Sequence, residues 1–103
     1  MKIAISSTGT NLESEVDPKF GRCAYFIVVN PDDMTFETYK NETVPPPCTG
    51  IQSAQFVASK GANVIMTGSA GADAINTAKE LGLDVIVGVG GSIKEVIERN
   101  KRD

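Results

Sequence analysis

Asn63-Val64-Ile65-Met66-Thr67-Gly68-Ser69-Ala70-Gly71 reads as a short apolar strand running into a glycine-bounded turn. A helix follows from about residue 72 to 81, with Ala74, Ile75, Ala78 and Leu81 on its inward face and Gly82 as its stop. The unit then repeats. Asp84-Val85-Ile86-Val87-Gly88 reads as a second buried strand, and Val89-Gly90-Gly91 as a second glycine turn. Ser92-Ile93-Lys94-Glu95 has the serine and glutamate spacing of a capping box. The last helix sets Ile93, Val96 and Ile97 inward and ends on Arg99, Lys101 and Arg102, cations that suit a helix C-terminus. Strand, helix, strand, helix in this order predicts a parallel sheet with right-handed crossovers.

Upstream the pattern differs. Thr49-Gly50-Ile51-Gln52 is another capping-box pattern, opening a helix to about Lys60 that buries Ile51, Ala54, Val57 and Ala58 and stops at Gly61. Before it, residues 41–50 form an irregular connection stiffened by Pro45-Pro46-Pro47 and followed by Cys48. Cys23-Ala24-Tyr25-Phe26-Ile27-Val28-Val29 is rich in aromatic and β-branched residues and reads as a strand. Asn30-Pro31-Asp32-Asp33 turns it into residues 34–40, which alternate and read as a solvated edge strand. Residues 2–6 are an apolar first strand, and residues 11–22 a long loop with acids at Glu13, Glu15 and Asp17. The string is βββαβαβα. It predicts a mixed five-stranded sheet of order 3-2-1-4-5 with helices on both faces, a three-layer α/β fold of the ribonuclease H-like kind.

The bulk numbers agree with a single domain over residues 1–103. The chain has 103 residues, 41% hydrophobic and 22% charged, the balance of an ordinary globular protein. Net charge is −3 and there is no histidine. A basic face for nucleic acid is therefore not expected, nor is a histidine-based hydrolase. Nucleases on the ribonuclease H-like architecture hold magnesium with a carboxylate from the first strand; this first strand offers Ser6 and Ser7. No apolar run is long enough to span a bilayer, and Met1–Ser7 is too short for a signal peptide. The expectation is a cytoplasmic protein, with no membrane partner, whose two cysteines are thiols or ligands.

In an open α/β sheet ligands bind beyond the carboxyl ends of the parallel strands. The stretch Val16-Asp17-Pro18-Lys19-Phe20-Gly21-Arg22-Cys23 leads to that end, because the second strand starts there. Candidate binding residues are Lys19, Phe20, Gly21 and Arg22, together with Gly68, Ser69, Gly71, Gly90 and Gly91 in the two turns. Helix N-termini and glycine turns accept anions through backbone amides, and a thiolate binds soft metals and iron–sulfur clusters. Cys23 and Cys48 are thus candidate metal ligands, and neighbouring cations are expected to favour their thiolates. Each has a plainer reading. The glycines also serve as tight strand-to-helix turns, Cys23 as a small core residue, Cys48 as an exposed thiol, and Lys19 as a solvated cation.

Lys2-Ile3-Ala4-Ile5-Ser6-Ser7, the Asp17-x-x-Phe20-Gly21-Arg22 segment ahead of Tyr25-Phe26, and Gly68-x-x-Gly71 after Val64-Ile65 resemble the dinitrogenase iron–molybdenum cofactor biosynthesis family. That family includes NifX-type carriers and the C-terminal domain of NifB-type proteins. The resemblance covers nearly the whole chain and implies a ribonuclease H-like fold. It also implies non-catalytic binding or carriage of a metal–sulfur cluster, of iron–sulfur or iron–molybdenum type, or of its precursor. A cluster donor or acceptor protein would be the partner, with the carrier a monomer or weak homo-oligomer. Lys19 stands where members of the family often have histidine, so imidazole ligation is not available here. The alternative function is a metal-free interaction or regulatory module that binds a small anionic metabolite or a partner.

Overall fold

The computed structural model describes residues 1–41 and 49–100. Cys48, the three prolines before it and the basic end of the last helix, Lys101 and Arg102, lie outside the described residues. The elements are β1 Ile3–Ser7, β2 Tyr25–Asn30, β3 Thr35–Lys40, α1 Thr49–Ser59, β4 Val64–Met66, α2 Ala72–Glu80, β5 Asp84–Ile86 and α3 Ile93–Asn100. The five strands form one sheet in the order β3-β2-β1-β4-β5, as the alternation and the crossover rule predict. β1 is antiparallel to β2 and parallel to β4; β2 and β3 form the expected antiparallel hairpin.

Period-two alternation in the central strands sorts their side chains into two cores. Ala4, Phe26, Val28 and Ile65 face α1 and α2, where they meet Ala54, Val57, Ala74 and Ala78. Ile3, Ile5, Ile27, Val29, Val64 and Met66 face α3 and meet Ile93, Val96 and Ile97. The molecule is therefore a three-layer sandwich with two helices on one face and one on the other. Among the described residues, no helix is long and apolar enough to cross a membrane.

Several details depart from the sequence reading. β2 starts at Tyr25, not Cys23, because β1 ends at Ser7 and Ser7 already pairs with Tyr25. β4 and β5 are three residues each, but irregular pairing carries on past them, with Thr67 N–H donating to Ile86 O (3.1 Å) and Gly88 N–H to Gly68 O (2.9 Å). β5 is the sheet's other edge and is not fully buried: Ile86 and Val87 are 38% and 51% exposed. Leu81, expected inside, is 47% exposed, because α2 ends at Glu80 and Leu83 takes the core position. Residues 11–22 are more than a solvated loop. Val16 and Phe20 are buried, and residues 15–17 run back along the end of β1, with Thr8 N–H donating to Glu15 O and Asp17 N–H to Ser6 O.

The two apolar environments differ enough to separate by mutation. Ile97→Ala, in the α3 core, is expected to lower unfolding stability by about 2–5 kcal/mol. Ile86→Ala, on the exposed edge, is expected to change it by no more than about 0.5 kcal/mol. Urea denaturation of both variants measures the contrast.

Candidate functional site

A cavity of about 620 Å³ opens at the carboxyl end of β1 and β4 and is lined by Lys19, Phe20, Arg22, Gly50, Ile51, Ser69, Gly71, Ala72 and Asp73 among others. Chain direction explains why these residues meet. β2 runs down from the end where β1 finishes, and β3 runs back up, with Lys40 opposite Tyr25. The connection from β3 to α1 therefore begins at the same end as the cavity. This brings the first turn of α1 beside the first turn of α2, where Gly50 lies close enough that a Cβ on it would stand 3.1 Å from the Ala74 Cβ.

The loop carrying the cations is held by backbone pairing. Ser69 N–H donates to Pro18 O at 2.7 Å, and Phe20 N–H donates to Ser69 O at 3.0 Å. The Ser69 hydroxyl also donates to Pro18 O, at 2.9 Å. Beneath this pair, the buried Ser6 hydroxyl donates to Asp17 O at 2.6 Å and lies 2.7 Å from the Thr67 hydroxyl. Gly68 is the point of closest approach: a Cβ there would lie 2.6 Å from Pro18 Cα. Its role in the structure is to let the two chains touch, and Ser69 N–H is spent on Pro18.

Lys19 and Arg22 are exposed at the mouth of the cavity, and among the described residues neither side chain has an ion-pair or hydrogen-bond partner. Phe20 is turned inward beneath them and packs on Phe26, ring centroids 5.5 Å apart. Gly21 takes a positive φ of 95° at the turn between them. On the other wall, α2 begins after Gly71, which provides no side-chain cap. The amides of Ala72, Asp73 and Ala74 thus have no partner among the described residues. Two unpaired cations facing an uncapped helix N-terminus form a site suited to an anion. Among the described residues of the lining, Asp73 is the one carboxylate.

The Gly90–Gly91 turn lies elsewhere. The N-terminus of α3 is filled by the chain's own acceptors: Ile93 N–H donates to Ser14 O and Lys94 N–H to Leu12 O. The capping box is formed, with Glu95 accepting from Ser92 N–H and Ser92 Oγ accepting from Glu95 N–H. Hydrogen bonding to the carboxyl from the Ser92 amide, and from its hydroxyl, with Arg99 nearby, holds Glu95 below its ordinary range. Gly91 O accepts from Val16 N–H, and Gly90 O accepts from Arg99 at 2.6 Å. This helix end is occupied, and Gly90 and Gly91 do not line the cavity.

Cys23 is 2% exposed and packs in the core with Phe20, Phe26 and Ala4. Burial, reinforced by the charge of Asp17, pushes its thiol from an ordinary 9.0 up to about 12, against hydrogen bonding from the Gly21 and Ser7 backbone that lowers it. Desolvation therefore keeps the thiol protonated at neutral pH, and the thiolate expected from the sequence does not form. Among the described residues, no three Cys, Asp or Glu side chains stand together as a metal-binding group.

Gly50, Ile51, Ala72 and Asp73 were not among the sequence candidates. Following strand direction through β3 would have revealed the first two. Asn41, read as part of an irregular connection, is buried, and its side-chain amide donates to Gly21 O at 3.0 Å and Cys23 O at 2.9 Å.

A mixed 3-2-1-4-5 sheet sandwiched by helices, with an anion-suited cavity at its carboxyl end, defines the class of protein. The sequence profile of the family described as "Dinitrogenase iron-molybdenum cofactor" matches residues 1–102, and the chain belongs to that family. Among solved structures, the chain resembles the apo form of the orange protein from Desulfovibrio gigas, at 33% identity and a TM-score of 0.90, over 95% of this chain and 84% of the other. It also resembles a candidate NifB protein of the DUF35 family from Thermotoga, at 31% identity and a TM-score of 0.81, over 94% and 84% of the two chains. No curated protein matches it significantly.

Two consequences are measurable. Gly68→Ala forces the 17–20 loop off the turn and is expected to cost about 1–3 kcal/mol, whereas Gly71→Ala, with nothing within 4 Å of its Cβ and an ordinary φ of −71°, is expected to be stable; thermal melts compare them. The Cys23 thiol ionises near 9 when unfolded and near 12 when folded. Its contribution to stability is therefore complete below pH 9 and declines as pH rises from 9 to 12. Chemical denaturation across that range, in wild type and Cys23→Ala, is expected to show a steeper loss in wild type.

Proposed function

We propose that the protein binds or carries an anionic metal–sulfur cluster, or a precursor of one, without catalysing a reaction on it, and exchanges it with a donor or acceptor protein. The observation that carries this reading is the pairing of Lys19 and Arg22 with the uncapped amides of Ala72, Asp73 and Ala74 around one cavity. Membership of an iron–molybdenum cofactor family supports a metal–sulfur cargo over other anions. A volume of about 620 Å³ falls within the usual range for small-molecule sites of about 300–1,000 Å³.

The donor set favours a hold by charge and hydrogen bonds. Lysine ammonium, arginine guanidinium and backbone amides all donate toward sulfide or oxo groups and none replaces a metal ligand. Phe20 and Ile51 supply an apolar floor that strengthens those bonds by excluding water. Cys23, buried and protonated at neutral pH, is not disposed to ligate in this conformation. The ligand role of Cys48 lies outside the described residues and is included as one arm of the test.

The test is titration of oxygen-free protein with tetrathiomolybdate, a molybdenum–sulfur anion, followed by its visible absorption. Wild type is expected to bind with an affinity that falls as salt rises. Lys19→Ala and Arg22→Ala are each expected to weaken binding about 5- to 10-fold, or about 1–1.4 kcal/mol. Gly71→Asp places a carboxylate cap on the α2 amides; it is expected to leave the fold at least as stable and to abolish binding. Cys48→Ser is expected to bind as wild type does; a loss there would assign the hold to the thiolate. Equal affinity in wild type, Arg22→Ala and Gly71→Asp would overturn the reading. Binding of phosphate or citrate in place of the thiometallate would support the metal-free module instead.

A further inference from the structure

Arg22 projects from a short segment whose backbone makes few regular pairings. β2 has not yet begun, and Arg22 N–H has only the turn bond to Lys19 O, at 3.2 Å. The two carbonyls flanking Arg22, those of Gly21 and Cys23, accept from the same atom, Asn41 Nδ2, at 3.0 and 2.9 Å. Two carbonyl acceptors on one amide group fix its orientation, since only the NH₂ end can donate to both. Asn41 is itself 5% exposed, and its backbone N–H donates to Ala24 O at 2.9 Å. It thus grips three carbonyls around the cation, those of residues 21, 23 and 24, from the last residue before the connection to α1.

We infer that Asn41 is a positioning residue for the anion site: its side-chain amide clamps the backbone on both sides of Arg22 and so sets where the guanidinium stands relative to the α2 N-terminus. The inference rests on the proposed anion-binding reading of the cavity. Two features make the clamp specific to Arg22. The carbonyls it holds belong to the immediate neighbours of Arg22, while Lys19 is held separately, by pairing of its loop with Ser69. Gly21 also needs an anchor, because its positive φ of 95° is a conformation that glycine adopts freely and leaves as freely. Buried hydrogen bonds of this kind restrict a site that the surrounding loop alone would leave loose. The two cations are thus positioned by different parts of the fold, and Asn41 governs only one of them.

This separation is what a double-mutant cycle reads. Tetrathiomolybdate binding is measured for wild type, Asn41→Ala, Arg22→Ala and Lys19→Ala, and for Asn41→Ala combined with each of the other two. Asn41→Ala is expected to weaken binding about 3- to 5-fold. Combined with Arg22→Ala it is expected to add no further loss, since a cation that is absent needs no positioning. Combined with Lys19→Ala its effect is expected to multiply. If Asn41→Ala does not fold, Asn41→Ser, which keeps a single donor, takes its place in both cycles with the same pattern expected. Losses that multiply in both cycles would overturn the inference, as would an Asn41 variant that binds like wild type while Arg22→Ala does not. If Arg22→Ala and Lys19→Ala also bind like wild type, the proposed site itself fails, and the inference falls with it.

Discussion

The site depends on a two-bond backbone pairing between loops that are about 50 residues apart in the chain. Ser69 N–H to Pro18 O and Phe20 N–H to Ser69 O tie the cation loop to the turn that opens α2. Without that pairing, Lys19 would sit on a free surface loop. The pairing needs Gly68, because no side chain fits between the turn and Pro18. It also needs the buried hydroxyls of Ser6 and Thr67 beneath it, which carry the polarity of the junction into the sheet without an unsatisfied atom. A serine at the end of β1 thus has a structural purpose in this chain, where related architectures place a magnesium-binding carboxylate.

The N-termini of α2 and α3, both at this end of the sheet, have opposite fates. The amides of α3 are consumed by Leu12 and Ser14 carbonyls and by its own capping box. Those of α2 follow an uncapped glycine and face the cavity. The contrast selects one of two superficially similar glycine turns as the place for an anion. It also gives the acidic loop of residues 11–17 a purpose, since its backbone fills the helix end that is not used.

The fold was legible because its determinants are local. Apolar strands, glycine stops and capping boxes recur along the chain, and the crossover rule converts their order into a topology. The candidate site was legible only in part. Lys19, Phe20, Arg22, Ser69 and Gly71 stand in the cavity wall, and sequence motifs alone point to them. Gly50 and Ile51 required tracing strand direction through the β2–β3 hairpin. Asn41 was not legible, because an asparagine at the end of an edge strand looks like any loop residue until its amide is seen between two carbonyls. The state of Cys23 was equally hidden: nearby cations in the sequence suggest a thiolate, while burial among Phe20 and Phe26 keeps the thiol protonated. The exposed β5 edge has a similar origin, since an apolar run reads the same at the centre of a sheet and at its border.

On the proposed reading, an anionic metal–sulfur species sits against the N-terminus of α2 and not against that of α3. The most direct measurement follows backbone amide chemical shifts in oxygen-free, isotope-labelled protein as tetrathiomolybdate is added. The largest shifts are expected at Ala72, Asp73, Ala74 and Arg22, with Ile93, Lys94 and Glu95 unmoved. Largest shifts at residues 92–95, or no shifts at residues 72–74 under saturating conditions, would contradict it.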